Sequence, residues 1–116
     1  MSEQKSNTCF SLISKDDNRS LEYEQQRLER GFDDSETWSL RDTIGNFIIP
    51  RLTRYKEIVK NHCNTDDAFI KDIDKSLRAF ELLTRDNGSF NLTVDERKEY
   101  EKGMKAFHKI FLKLWW

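Results

Sequence analysis

Between Trp38 and His62 the apolar side chains Leu40, Ile44, Phe47, Ile48, Leu52, Tyr55 and Val59 recur at three- and four-residue intervals. At about 100° per residue they collect on one face of a helix. The start of that helix is readable as well. Ser39 is placed to cap it, Asp42 sits where a carboxylate favours the positive helix end, and Trp38 precedes the cap as a hydrophobic staple. Pro50 falls inside the stretch, yet the apolar pattern continues in phase on both sides of it. The expectation is therefore one kinked helix over 39–62 and not two helices joined by a loop. Arg51 projects into the apolar arc, so either the kink turns it outward or it is partly buried against a carboxylate.

Three further helices follow from the same kind of signal. SLEYEQQRLER, from Ser20 to Arg30, is rich in helix formers and stops at Gly31. Its Leu21 and Leu28 lie two turns apart and form a thin stripe suited to docking on a bundle. Asp33, Asp34 and Ser35 then read as a turn, with Phe32 and Trp38 as anchors on either side. After cap candidates Asn64 and Thr65 comes a stripe of Phe69, Ile70, Ile73, Leu77, Phe80 and Leu83, closed by the turn cluster Asp86-Asn87-Gly88-Ser89. Phe90 and Leu92 are expected to tuck that loop against the core. The last helix opens on a Thr93-x-x-Glu96 capping box and lines one face with Tyr100, Met104, Phe107, Phe111 and Leu114. Lys102, Lys105, Lys109 and Lys113 take the opposite side, and Trp115 and Trp116 are expected to pack.

The fold class expected is all-α: a small bundle of three long helices plus a shorter N-terminal one. With 116 residues, one Pro and four Gly, the chain suits a single helical domain over 20–116, preceded by a mobile or loosely packed segment over 1–19. Only 36% of residues are hydrophobic against 35% charged, but eight Phe, three Tyr and three Trp concentrate the apolar area. There is no signal peptide and no apolar run near the ~20 residues of a membrane span, so the expected setting is the cytoplasm. Cys9 and Cys63 have neither metal-ligand nor redox spacing and are expected as thiols.

Chemistry is sparse. Neither His62 nor His108 completes a Glu-x-x-His metal motif, Cys63 with His108 forms no recognisable nucleophile and base, and no glycine-rich phosphate loop is present. Gly45 and Gly103 read as close-packing points within helices. The expectation is a chain with no catalytic residues, no metal and no cofactor. Charge is uneven beneath a net value of −1: residues 1–38 carry nine acidic and five basic side chains, residues 39–62 five basic and two acidic. The surfaces nominated for partner binding are thus an acidic cluster, Asp33, Asp34 and Glu36, and a basic one, Arg51, Arg54, Lys56 and Lys60. The acids with Asp42 also have the composition of a Mg²⁺ site, although such clusters more often decorate a turn. The basic set with the lysine stripe has that of a phosphate-tracking face. The closing run KGMKAFHKIFLKLWW has the pattern of a groove-binding or membrane-surface helix, but the bundle needs its apolar face.

The block GFDDSETWSLRDTIGNFIIPRLTRYKEI and the closing GMKAFHKIFLKLWW resemble a group of small uncharacterised bacteriophage proteins. These share a Phe-x-Asp before Thr-Trp-x-Leu, a Phe-Ile-x-Pro-Arg-Leu core and a terminal aromatic-Leu-Trp. The chain departs from them at Arg41, where an acid is expected after Leu40. The resemblance implies a phage origin and a helical domain, and no established activity. Together these readings point to a non-catalytic module that binds a host or phage protein, in the form of a stoichiometric inhibitor of a host defence factor such as an anti-CRISPR. The alternative is a nucleic-acid-binding phage accessory protein using the basic face of helix 39–62.

Overall fold

The structure is a computed structural model and describes residues 8–63, 65–85 and 91–116. Every regular element among them is helical: α1 (Ser20–Arg30), a 3-10 turn (Asp34–Thr37), α2 (Leu40–His62), α3 (Asp67–Thr84), α4 (Val94–Ile110) and a closing 3-10 turn (Phe111–Lys113). The all-α expectation holds, with three long helices and a shorter leading one. Asn64 as a cap, the turn at 86–89 and Phe90 lie outside the described residues.

Local signals explain most boundaries. Gly31 ends α1 at φ +89°, a left-handed conformation that costs a residue without Cβ little, and its amide donates to the Arg27 carbonyl at 2.8 Å. Asp66, and not Thr65, caps α3, accepting from the Phe69 amide at 2.8 Å. Thr93 and Glu96 close the capping box of α4 reciprocally, at 3.1 and 3.0 Å. Ser39 makes no side-chain bond to the backbone of α2; its hydroxyl donates to Asp42 at 3.2 Å instead. Pro50 stays inside an uninterrupted α2. Arg51 is exposed there: its guanidinium stacks 4.0 Å from the Phe47 ring centre and donates to the Phe47 carbonyl one turn back.

The core lies where α2, α3 and α4 meet. Leu52 and Val59 of α2, Ile73 of α3 and Ile110 of α4 form its centre, with Ile48, Tyr55, Phe69 and Phe107 packed around them. Each such side chain buried contributes about 2 kcal/mol. α3 sits between the other two and buries two faces, since Ser76, Ala79 and Leu82 are covered as fully as Ile73 and Phe80. The second face is built from small residues, and Gly103 of α4 comes so close to it that a Cβ would strike the Lys75 carbonyl oxygen and lie 2.5 Å from the Ala79 methyl. Ser76 satisfies its buried hydroxyl on the Asp72 carbonyl at 2.7 Å.

α1 stands apart from this bundle and reaches it through the 3-10 turn. The radius of gyration is 16.6 Å, against about 13 Å for a compact chain of this length. Three expectations about burial are corrected. Leu40, Ile44 and Phe47 of α2 are half-exposed, because the buried stripe of that helix runs through Gly45, Leu52 and Val59, about 110° round the wheel from them. Phe32 and Trp38 are likewise half-exposed, Trp38 resting on Tyr23 at 6.2 Å between ring centres. Phe111, Trp115 and Trp116 are exposed, the last two at 77% and 70%. α4 meets the core through Gly103, Ala106 and Ile110 and leaves its terminal aromatics outside.

Candidate protein-binding face

The acidic cluster turns inward. Asp33 is fully buried, and Ser35 and Glu36 are buried beside it. One Asp33 oxygen accepts from the Ser35 amide at 2.9 Å and the Ser35 hydroxyl at 2.5 Å; the other accepts from the Ser11 hydroxyl at 2.5 Å and from the Arg27 guanidinium. Glu36 accepts from the Phe10 amide at 3.1 Å and the Asp33 amide at 2.8 Å, and the Leu12 amide donates to the Ser35 hydroxyl at 2.8 Å. Residues 10–12, within the segment read as loosely packed, are thus bonded to the turn that also holds α1. Asp34 is exposed and pairs with Arg30 at 2.6 Å and with Gln26 at 3.0 Å. Two of the three acids nominated for a partner are therefore buried within the chain, and the third is paired on its surface. No group of three or more His, Cys, Asp or Glu among the described residues is arranged to hold a metal.

Burial pushes the Asp33 carboxyl up, but hydrogen bonds from Ser11, Ser35 and Arg27 outweigh it, and the carboxyl titrates below its ordinary 3.8. Glu96 is held at about 2, chiefly by hydrogen bonds from Arg85 and the Thr93 amide. Both folded values lie below the unfolded ones, so each contribution is complete above the unfolded pKa and is lost as pH falls toward the folded one. Stability should therefore be flat from neutral pH to about 5 and decline between about pH 4.5 and 2. Urea midpoints measured across that range check this, and a curve level down to pH 2 would contradict it.

The basic cluster is divided. Lys56 bridges Asp74 of α3 at 2.5 Å, fastening α2 to its neighbour, and Arg54 bridges Glu57 at 3.0 Å on an exposed surface. Lys60 is exposed one turn beyond. Arg51 and Arg54 share a shallow open groove of about 480 Å³ with Pro50, Tyr55, Ile58 and Trp116. Its floor is set by Tyr55, whose hydroxyl lies 3.1 Å from the Lys113 and Trp115 carbonyl oxygens and so fixes the closing turn against α2. Burial pushes the Tyr55 phenol above its ordinary value, so the donor keeps its proton.

The groove continues along α2. Leu40, Ile44, Phe47, Arg51 and Arg54 follow one another at four- and three-residue steps, so they form a single outer stripe, apolar toward the N-terminal end and cationic toward the other. Phe10 meets Phe47 edge-on at 6.5 Å, which joins the bonded segment to this stripe. The charged part of the face was visible in the sequence through Arg51 and Arg54. Hydrophobicity alone places Trp115 and Trp116 in the core, whereas they are exposed, and the basic-aromatic pattern of the closing run is the signal that marks them as surface residues.

Cys9 and Cys63 are exposed and form no disulfide with each other. Among the described residues no helix is long and apolar enough to cross a membrane. The chain matches no protein-family model, and comparison with curated proteins and with solved structures gives no match.

Proposed function

We propose that the chain is a non-catalytic module that binds another protein through the outer stripe of α2 and the aromatics that border its groove. The observation that supports this reading is the exposure of Trp116 in a groove with Arg51 and Arg54, where Arg51 also stacks on a half-exposed Phe47. Trp, Phe, Tyr and Arg are the side chains that dominate protein interfaces, and a contiguous apolar surface is costly to leave in water without a use. The finer form of the proposal, a phage-encoded stoichiometric inhibitor of a host defence factor acting in the host cytoplasm, rests on the resemblance to small bacteriophage proteins. In that form the bound module works by occlusion, which needs a surface and no reacting group.

The basic residues lend the nucleic-acid alternative less support, since Lys56 and Arg54 each have a carboxylate within 3.0 Å. The test is a pull-down from bacterial host lysate with the intact chain and with Trp116→Ala and Arg51→Ala. A stoichiometric protein should be retained by the intact chain, and each substitution should weaken its binding about 30-fold, as expected for a central anchor. Recovery of no such protein, or of one indifferent to both changes, would overturn the proposal. Retention of DNA or RNA with a steep salt dependence would transfer the face to the alternative.

A further inference from the structure

Helix α1 is folded inside out. Its inward side carries Tyr23, Arg27 and Gln26, which hold it to Trp38, Asp33 and Asp34. Leu21 and Leu28, about 160° and 140° from Tyr23 on the wheel at about 100° per residue, are 81% and 76% exposed. Glu24 lies on the same side, and Glu22 and Glu29 flank it, all exposed. An eleven-residue helix is marginal on its own, and here its two large apolar side chains contribute nothing to the fold of the copy they belong to. The outer stripe of α2 has the complementary character, apolar and cationic where α1 is apolar and anionic.

The spacings agree as well. Leu21 and Leu28 are seven residues apart, as are Phe47 and Arg54, and Arg51 and Ile58. Each pair therefore spans about 10 Å, the repeat that lets two helices pack side by side at a shallow angle. α1 is anchored by the turn just before the N-terminal end of α2, whereas the groove lies along the C-terminal half of α2. A two-fold axis that set two α2 stripes antiparallel would carry the N-terminal end of each α2, and the α1 tied to it, toward the other copy's groove, giving two identical contacts and a closed assembly.

We infer that the protein pairs with a second copy of itself, the leucine and glutamate face of α1 from each copy seating on the Phe47–Ile58 stretch of α2 of the other. This goes beyond the proposed function. It concerns what covers the face when no foreign partner is present, and it is tested on the purified chain alone, so its failure is distinct from a failed pull-down.

Sedimentation of the intact chain from about 1 to 500 µM should show a monomer–dimer equilibrium, and Leu21→Glu/Leu28→Glu should loosen it about 30-fold or more. Those positions face water, so helix content by circular dichroism should be unchanged. The decisive arm uses charge exchange. Arg51→Glu/Arg54→Glu makes both surfaces acidic, and Glu24→Arg/Glu29→Arg makes both basic, so each variant alone should be monomeric while an equimolar mixture pairs. An intact chain that is monomeric at 500 µM, a dimer indifferent to these changes, a mixture that fails to pair, or a ladder of larger species would each overturn the inference.

Discussion

Gly103→Val should destabilise the protein by about 3 kcal/mol, the upper part of the range for overpacking a tight seam. For a domain of this size that corresponds to a fall in Tm of roughly 12–20 °C. The cause is steric. The position faces the backbone of α3, where a new Cβ meets the Lys75 carbonyl and the Ala79 methyl, and neither can rotate away. Gly103→Ala is the sharper experiment, because alanine improves helix propensity by about 1 kcal/mol. If the seam is as rigid as the geometry implies, alanine still destabilises. A rise in Tm would show that α3 and α4 can separate at little cost. Gly45 offers the control, since a Cβ there meets the Thr84 side-chain methyl group and not backbone, and its substitution should cost less.

Asp33→Ala should have an effect of similar size in a different place. It strips the acceptor from the Arg27 guanidinium and from the hydroxyls of Ser11 and Ser35, and a partly buried cation left unpaired costs on the order of 3 kcal/mol. The loss falls on the attachment of residues 10–12 and α1. Hydrogen exchange at the Phe10 and Leu12 amides should therefore accelerate about 100-fold, while the α3 amides near Ile73 and Leu82 keep their protection. Asp33→Asn keeps one acceptor and should lie between. Unchanged protection at Phe10 in the alanine variant would mean that these bonds do not hold the segment.

What the sequence disclosed and what it concealed divide along a physical line. Gly31, Thr93 with Glu96, and the in-phase pattern across Pro50 act over a few residues, and the structure has the expected elements at each. The second face of α3 stayed hidden because Ser76 and Ala79 are too small to register as an apolar stripe; they are buried because Gly103 lets α4 approach them. The orientation of Asp33 depends on Ser11 and Arg27, 22 and 6 residues away, which no local charge count contains. Trp115 and Trp116 were misplaced by the rule that large apolar side chains go inside. That rule fails where a helix already docks through small residues. Of the nominated site, Arg51 and Arg54 lie in the groove, Lys56 ties α2 to α3, and Asp33 and Glu36 face inward.

The attachment of the leading arm is mainly polar, resting on the carboxylates of Asp33, Asp34 and Glu36, the guanidiniums of Arg27 and Arg30 and a few hydroxyls and amides, whereas the three long helices are joined chiefly by hydrocarbon. Heat capacity rises on unfolding chiefly with newly wetted apolar area. Detaching the arm should thus leave little calorimetric trace, and the bundle should account for nearly the whole step in a scanning experiment. A thermogram alone would then report the protein as intact at a temperature where residues 10–12 and α1 have already let go.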